Sequence, residues 1–260
     1  MESIICVCSI GILYALYALS HPLFTLVSID GNIGSGKSTL LAKIQTNMKN
    51  IIVIPEPVEE WINTVDEKNN NILQIFYENK TRWGYTFQSF AYITRLILMK
   101  QYIDNIKQYK WNILTNIYYR LARKPFIIIS ERSIFTDRYI FAQMLKDTNC
   151  ISCIEFNIYL QWFDYFAKDI ALDYIIYVRN SPESSMFRIN KRHRNEEKEI
   201  QKAYIQDVFN YHEDWLITQN FQIKNQVIII DGEDDFEKDN EASIERLQDH
   251  LWTIKHKIKY

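Results

Sequence analysis

Short apolar runs alternate with longer amphipathic stretches along this chain. Five runs of mostly β-branched residues predict strands over 24–30, 51–55, 126–130, 174–178 and 227–230. Each run is apolar at nearly every position, which is typical of strands buried on both faces of a parallel sheet. The stretches between them predict helices over 37–48, 72–121, 135–146, 154–167, 183–191, 197–219 and 241–258. We therefore expect an α/β fold, with a five-stranded parallel sheet flanked by helices.

Residues 1–22 form an apolar leader ahead of this pattern. Residues 4–19 carry no charge, but the run is short for a membrane-spanning helix. Glu2 stands where a signal peptide would have a basic region. The leader is either a packed extension or a membrane or targeting segment, and the sequence leaves both open. Residues 23–260 show no proline-rich linker or repeat, so we expect one domain there, with polar loops at 68–71 and 231–240.

Composition and charge exclude several classes of protein. The net charge of −2 over 260 residues lacks the basic footprint of a nucleic-acid-binding protein, so no nucleic acid partner is expected. Cys150 and Cys153 form a C-x-x-C pair, but the second pair of ligands that a structural zinc site needs is missing. We interpret these cysteines as ordinary thiols.

Glycine is scarce and unevenly distributed. Average usage predicts about 18 glycines in a chain of this length, yet there are six. Three of them, Gly31, Gly34 and Gly36, lie within one six-residue window directly after the first predicted strand. This clustering marks the segment in which function is to be sought.

That window contains a phosphate-binding motif. Residues 31–38 read GNIGSGKS, which satisfies G-x-x-x-x-G-K-[ST], with a strand before it and a helix after it. In such a loop the backbone N–H groups surround phosphate oxygens, Lys37 reaches the β- and γ-phosphates, and the Ser38 hydroxyl can bind Mg²⁺. The alternative is a glycine-rich turn that happens to contain a lysine. The motif predicts binding of ATP or another nucleoside triphosphate by Gly31, Asn32, Ile33, Gly34, Ser35, Gly36, Lys37, Ser38 and Thr39. A user of ATP is expected in the cytoplasm or an organelle.

Charged residues follow two further strands. Glu56 comes directly after the second predicted strand, and Glu131 and Arg132 follow the third. Open α/β sheets bind ligands at the carboxyl ends of their strands, beside the phosphate loop. Phosphoryl transfer to a hydroxyl needs a proton acceptor, Mg²⁺ coordination and cations near the transferred group, and these residue types supply them. The alternative is that each is a strand-end charge facing solvent.

Five motifs in order resemble a known family. GNIGSGKST, EPVEEW, RWGYTFQSFAYITR, ERSIFTDRYIFA and RINKRHRNEE are similar to segments of the deoxynucleoside kinases, closest to their deoxycytidine and deoxyguanosine kinase branch. The similarity covers residues 24–252. It implies a fold of the P-loop nucleoside and nucleotide kinase type, a small-molecule deoxynucleoside substrate, and ATP-dependent phosphorylation of its 5′-hydroxyl in nucleotide salvage. It also implies Mg²⁺ and a homodimer.

The resemblance implies a role for each matching residue. Glu56 is similar to the general base, Arg132 to the arginine that holds that base and the hydroxyl, and Ser38 with Glu131 to the Mg²⁺ site. The residues expected around the nucleoside are Trp61, Tyr77, Phe87, Gln88, Arg95, Asp137, Phe141 and Glu197, with Ile33 as a further wall. Among them Gln88 resembles the residue that contacts the base, and Tyr77 and Glu197 those that bind the sugar 3′-hydroxyl. The residues expected around the phosphate donor are the lid arginines Arg188, Arg192 and Arg194, together with Asp235 and Phe236 of the donor-base loop.

Arg95 and Asp137 bear on the choice of base. Gln88 and Arg95 are seven residues apart, two helical turns, so both are expected on one face of a helix. In the family an Arg–Asp pair here accompanies deoxycytidine and purine substrates. Asp137 can accept a hydrogen bond from an exocyclic amine, and the pair fills the space that a thymine methyl group needs. We therefore expect cytosine or purine deoxynucleosides to be favoured over thymidine.

Two other functions remain open from the residues. A thymidylate-type nucleoside monophosphate kinase has a similar fold and loop, but needs cations for a second phosphate where this chain has Glu56. A non-catalytic structural subunit would not need Lys37, Ser38, Glu56, Glu131 and Arg132 intact. The aromatic-rich run 83–119 is expected to supply core residues and, in a homodimer, a helix–helix interface. Its candidate apolar residues are Tyr102, Ile103, Ile106, Ile113 and Tyr119.

Overall fold

A computed structural model describes residues 24–48, 51–109, 126–218, 226–233, 236 and 249. The strands are β1 (Phe24–Gly31), β2 (Ile51–Ile54), β3 (Phe126–Glu131), β4 (Tyr174–Arg179) and β5 (Gln226–Asp231). All neighbours pair in parallel, in the order β2-β3-β1-β4-β5. The predicted α/β fold is confirmed, and each predicted strand agrees with the observed one to within one residue at either end.

Nine α-helices lie in the described parts of the chain. They are α1 (Lys37–Asn47), α2 (Val58–Asn63), α3 (Ile72–Glu78), α4 (Lys80–Tyr109), α5 (Ile134–Thr136), α6 (Gln143–Asp147), α7 (Cys153–Phe166), α8 (Pro182–Arg192) and α9 (Lys202–Glu213). Short π-helical segments follow α5, over Asp137–Ala142, and α9, over Asp214–Thr218, and a 3₁₀ turn spans Asn195–Glu197. Three predicted helices, 37–48, 154–167 and 183–191, match α1, α7 and α8 to within one residue at either end.

The structure differs from the predicted helices at four places. The single helix predicted over 135–146 is observed as α5, the first π-helical segment and α6. Helix α2 was missed, because six residues are too few to show a period. The predicted helix 72–121 is interrupted at Asn79, whose side chain accepts a hydrogen bond from the Arg82 N–H (2.9 Å) and so begins a new helix. The prediction over 197–219 resolves into the 3₁₀ turn, α9 and the second π segment. Residues 110–121 and the predicted helix 241–258, apart from residue 249, lie outside the described residues.

Both faces of the sheet are covered. Along β1, Leu26 faces a large apolar cluster built with α3, α4, α7 and α9, whereas Val27 and Ile29 face a second cluster with α1. Successive residues of a strand point to opposite faces, so a strand buried on both sides is apolar at most positions. Parallel strands also end at one edge of the sheet, which brings the residues after β1, β2 and β3 together.

None of the helices described is long and apolar enough to cross a membrane. The apolar leader lies outside the described residues. Cys150 and Cys153 are free thiols at the beginning of α7. Among the described residues, no group of three or more His, Cys, Asp or Glu side chains is arranged to hold a metal ion.

His212 makes stability depend on pH. It is fully buried in α9, its Nδ1 bonds the Val208 carbonyl (2.7 Å), and its ring stacks on Tyr177 with centroids 5.6 Å apart. Burial lowers the pKa of His212 to about 3. Because the unfolded chain then binds the extra proton below about pH 6.5, this residue should lower the free energy of unfolding by about 1.4 kcal/mol per pH unit as pH falls from 6 to 4.

The His212→Gln protein is expected to lose that contribution, so its stability should fall less steeply between pH 6 and pH 4. Urea unfolding at a series of pH values measures the difference between the two proteins. Equal slopes for the two proteins would contradict the assignment.

Candidate active site

A cavity of about 990 Å³ opens at the carboxyl edge of the sheet. It is bounded by the loop after β1, the ends of β2 and β3, helices α3 and α4, and helix α8. The predicted site residues that line it are Ile33, Gly34, Gly36, Lys37, Ser38, Thr39, Glu56, Trp61, Tyr77, Phe87, Gln88, Arg95, Glu131, Arg132, Asp137, Phe141, Arg188, Arg192, Arg194, Glu197 and Phe236. Gly31, Asn32 and Ser35 belong to the same loop but do not line the cavity, and Asp235 lies outside the described residues.

The loop between β1 and α1 has the backbone of a phosphate cradle. Gly34 and Gly36 have φ values of 77° and 91°, which side chains rarely adopt. A Cβ on Gly34 would also lie 2.7 Å from the Ser185 carbonyl oxygen. These glycines therefore allow the loop to curl in front of the α1 N-terminus, where backbone N–H groups favour anions.

Lys37 points back into this loop. Its Nζ donates to the Gly31 carbonyl (3.0 Å) and the Asn32 carbonyl (2.6 Å). Burial and the nearby Arg132 lower the pKa of Lys37 to about 7, although neighbouring carboxylates oppose them. An anion in the loop would favour the charged amine, so the arrangement fits a phosphate group.

A hydroxyl and a carboxylate meet at the start of α1. The Ser38 Oγ donates to Glu131 Oε1 at 2.6 Å, which joins the phosphate loop to the end of β3. Hard oxygen atoms of this kind are the ligands that Mg²⁺ prefers, commonly one or two protein ligands with the remainder from phosphates and water. Ser38 and Glu131 therefore fit the expected metal.

Glu56 lies between two arginines. Its carboxylate accepts from Arg132 Nη1 at 2.9 and 3.1 Å and from Arg95 Nη2 at 3.0 Å. Burial alone would raise the pKa of Glu56, but Arg132, Arg95 and Lys37 outweigh it and lower this pKa to about 2. Glu56 is thus an ionised carboxylate at neutral pH. It lies beside both the phosphate loop and the part of the cavity lined by helices α2, α3 and α4, which is called the deeper cavity below.

Arg132 has an unusual backbone. Its φ is 57°, in the left-handed region that costs a non-glycine residue energy, and its N–H donates to the Ile29 carbonyl at 3.0 Å. Its Nη2 also donates to the Gly31 carbonyl at 3.3 Å. Strained backbone that the surrounding structure maintains is concentrated at functional sites, and this example directs a guanidinium at Glu56.

Arg95 and Asp137 form a buried ion pair. Arg95 Nε donates to Asp137 Oδ2 at 2.9 Å, and Nη1 donates to the Glu131 carbonyl at 2.9 Å. Burial opposes the charged guanidinium, but Asp137 and Glu56 raise the pKa of Arg95 above its usual value. Gln88, on the same helix, donates to the Asp137 carbonyl at 3.3 Å. The structure thus brings Gln88, Arg95 and Asp137 together. The spacing predicted this for Gln88 and Arg95, and the resemblance implied it for Asp137.

Aromatic rings form the walls of the deeper cavity. Trp61 meets Phe87 edge to face at 5.4 Å, and Phe87 stacks on Phe76 at 4.5 Å. Phe76 was missed by the sequence analysis, as were Leu73 and Tyr204, which also line the cavity. The available signal was helical spacing, since Leu73 and Phe76 are three residues apart on the same helix as Tyr77. That spacing equally describes an ordinary core face.

Tyr77 and Glu197 lie at the far end of this wall. Burial raises the pKa of Tyr77, which keeps its hydroxyl neutral and able both to donate and to accept. Glu197 pairs with Arg192, and Arg194 Nη1 approaches the same carboxylate at 3.9 Å. Two of the three predicted lid arginines, Arg192 and Arg194, are therefore held by the carboxylate of Glu197, which lines the cavity.

Arg188 joins α8 to two loops. Helix α8 carries two of the predicted lid arginines, Arg188 and Arg192, and is called the lid helix below. Its guanidinium donates to the carbonyls of Ser35 (3.2 Å), Gly232 (2.7 Å) and Glu233 (3.0 Å). Phe236 is buried beside the phosphate loop, so near that a Cβ on Gly36 would lie 2.8 Å from its ring. The lid helix, the phosphate loop and the segment after β5 thus meet around one guanidinium.

This fold and site define a phosphotransferase of the P-loop kinase class, whose cavity extends from the phosphate loop to an aromatic wall and is large enough for a small organic acceptor. Residues 27–254 match the deoxynucleoside kinase family. The chain belongs to that family and is an enzyme of that kind.

Relatives with named activities match most of the chain. It is 34% identical to deoxycytidine kinase of Bos taurus over 88% of this chain and 91% of the bovine protein. Identity is 37% to a probable deoxycytidine kinase of fowlpox virus, over 82% of this chain and 81% of the viral protein. A mitochondrial deoxyguanosine kinase of Xenopus laevis is 30% identical over 84% of this chain and 85% of that protein.

Proposed function

We propose that this enzyme transfers the γ-phosphoryl group of ATP to the 5′-hydroxyl of a deoxyribonucleoside. The observation that carries the proposal is the position of Glu56. Its ionised carboxylate is held by Arg132 and Arg95 between the phosphate loop and a pocket walled by Trp61 and Phe87. A hydroxyl at that point would have a proton acceptor on one side and the phosphate loop on the other.

Each residue of the site has a separate role in the proposed phosphoryl transfer. Glu56 accepts the proton of the 5′-hydroxyl, and Arg132 holds Glu56 and that hydroxyl in place. Lys37, the loop N–H groups and the lid arginines stabilise negative charge on the transferred group. Mg²⁺, held by Ser38 and Glu131, would neutralise charge on the donor phosphates.

The nucleoside occupies the deeper cavity in this proposal. Gln88 contacts the base, Tyr77 and Glu197 bind the 3′-hydroxyl, and Phe141 with the other aromatic residues encloses the ring. Arg95 and Asp137 present a charged, hydrogen-bonded wall at the base end. We propose that this wall favours cytosine and purine bases, since their exocyclic amines can donate to a carboxylate and a methyl group cannot. The deoxycytidine and deoxyguanosine kinases among the relatives support this choice.

The geometry argues against a monophosphate kinase. A second phosphate would need unpaired cations near the acceptor, but Arg132 and Arg95 already bind Glu56 there. A decayed structural subunit is also disfavoured, because the phosphate loop, Lys37 and the paired carboxylates are assembled. The relatives named above point in the same direction.

An assay with γ-labelled ATP tests the proposal. We expect labelled monophosphate from deoxycytidine, deoxyguanosine or deoxyadenosine, a much lower kcat/KM for thymidine, and no product from thymidylate. A Lys37→Ala protein controls for contaminating kinases. Thymidylate as the preferred acceptor would overturn the proposed acceptor, and thymidine as the preferred nucleoside would overturn the base preference.

We also propose a homodimer, although not through the residues first expected. Ile103 and Ile106 are buried in the chain's own core, so that prediction of an exposed apolar surface was wrong for them, and residues 113 and 119 lie outside the described residues. Helix α7 instead exposes a stripe at helical spacing. Its members are Ile154, Ile158, Trp162, Tyr165 and Phe166. A second copy of the chain is the occupant proposed for this stripe.

Placing a charge on the stripe should separate the subunits. For Trp162→Glu, light scattering is expected to give a mass near the 31.2 kDa of one chain, and for the unmodified protein about twice that value. Phe187→Glu, a similar change at an exposed aromatic residue of α8, should leave the mass unchanged. A dimer that survives Trp162→Glu would place the interface elsewhere.

The remaining proposals concern the ends of the chain and its location. We propose that residues 23–260 form one kinase domain and that residues 1–22 are an accessory leader, which the family match over 27–254 supports. We place the enzyme in the cytoplasm or an organelle, where ATP and deoxynucleosides are both present. Fluorescence microscopy of tagged proteins with and without residues 1–22 tests the role of the leader.

A further inference from the structure

Asp30 is a buried carboxylate that the proposed mechanism does not use. It is the residue before Gly31, at the end of β1, and it is completely inaccessible to solvent. Ser28 Oγ donates to its Oδ2 at 2.5 Å, and Thr136 Oγ1 donates to its Oδ1. Within the described residues its hydrogen-bond donors are thus two neutral hydroxyls. A carboxylate is costly to bury without a bonded cation, so its presence calls for a reason.

The hydrogen bond from Thr136 to Asp30 links α5 to the end of β1. Thr136 lies in α5, directly after the turn that contains Arg132. Its Oγ1 accepts from the Ser133 N–H at 3.1 Å, and Ser133 Oγ accepts from the Thr136 N–H at 3.3 Å. This reciprocal capping box places the N-cap of α5, Ser133, directly after Arg132. Thr136 Oγ1 also lies 3.1 Å from Ser133 Oγ, and because an ionised carboxylate can only accept, the Thr136 proton goes to Asp30 and Ser133 Oγ is the donor in the other contact.

Arg132 is therefore fastened to β1 on both sides. On one side its own N–H donates to the Ile29 carbonyl, and on the other side the Thr136 hydroxyl donates to the neighbouring Asp30. The segment between these two bonds includes the backbone with φ of 57°. A strained conformation persists only where its surroundings hold it, and these two bonds restrain the backbone on either side of Arg132, while its guanidinium is bonded to Glu56 and the Gly31 carbonyl.

We propose that Asp30 is a positioning residue for phosphoryl transfer: its bond to Thr136 maintains the turn at Arg132 and so keeps the guanidinium directed at Glu56. The inference rests on the roles proposed above for Arg132 and Glu56. Asp30 acts through the turn and touches neither substrate. A shift of about 1 Å in a catalytic group can lower a rate by about 10²-fold, so loss of the bond should appear mainly in kcat.

Removing the bond from either side is the test. Thr136→Val removes the hydroxyl at nearly constant volume, and Asp30→Ala removes its acceptor. Both are expected to lower kcat with deoxycytidine by about 10²-fold while KM for ATP changes by less than about threefold. The double variant should be no slower than the slower single variant, because both changes break one bond. Asp30→Asn keeps a hydrogen-bond acceptor and Thr136→Ser keeps a hydroxyl donor, so both variants should retain most of the kcat.

Ser28→Ala is the matched control. It removes the other hydrogen bond to Asp30 and leaves the link to Thr136, so kcat should stay within about twofold even where the melting temperature falls. If Thr136→Val keeps its kcat, or if kcat follows melting temperature equally in all variants, the positioning role is overturned. Should Thr136→Val fail to fold, the comparison of Asp30→Ala with Ser28→Ala decides in the same way. An unmodified protein without deoxynucleoside kinase activity would overturn the proposed function itself, which is a separate outcome.

Discussion

Glu56→Gln is expected to lower kcat for deoxycytidine by about 10³-fold, with a much smaller change in KM for ATP. Glutamine has nearly the shape of glutamate and can still accept a hydrogen bond from Arg132, but it cannot take a proton from the 5′-hydroxyl. Steady-state kinetics with labelled ATP measure the loss. Thermal unfolding of the same sample shows whether the site remains folded.

Glu59→Gln provides the control for this change. Glu59 is an exposed residue of the neighbouring helix α2, so the kcat of the Glu59→Gln protein should equal that of the unmodified protein. A Glu56→Gln enzyme that kept full turnover would remove Glu56 from the role of base. The pKa of about 2 means that Glu56 remains ionised across the neutral range, so its own titration should not limit the rate between pH 5 and pH 8.

The double variant Arg95→Met, Asp137→Ala is expected to raise the ratio of kcat/KM for thymidine to that for deoxycytidine by about 10²-fold. The change removes the carboxylate that would accept from an exocyclic amine and opens apolar space for a methyl group. Both residues must change together. Arg95→Met alone would leave Asp137, which is 1% exposed, without its cation, at a cost of about 3 kcal/mol or more in stability.

Arg82→Met, on the exposed surface of the same helix α4, is the control for this experiment and should leave the ratio unchanged. Competition between labelled thymidine and deoxycytidine measures the ratio directly. If the double variant is folded and still prefers deoxycytidine to the original extent, base choice is made elsewhere in the cavity. The aromatic wall at Phe76 would then be the next position to vary.

Sequence patterns predicted the parts of the fold that depend on neighbouring residues. All five strands were found because each is a short run of mainly apolar residues, which is typical of strands in a covered parallel sheet, and the phosphate loop was found because glycines with positive φ at fixed spacing leave a recognisable motif. The break at Asn79 was missed because a helix can continue or restart across one polar residue. Phe76 was missed because an apolar residue at helical spacing is equally compatible with a core and with a pocket wall.

The order of the strands decided what these local patterns could not. Placing β3 between β2 and β1 brings Glu56 and Arg132 together although they are 76 residues apart in the chain. The same packing joins Arg95 to Asp137 and Asp30 to Thr136, and it buries Ile103 while exposing α7. Periodicity reports which face of an element is apolar. Which side chains meet across elements, and hence where a carboxylate is held by two arginines, depends on tertiary contacts over long sequence separations.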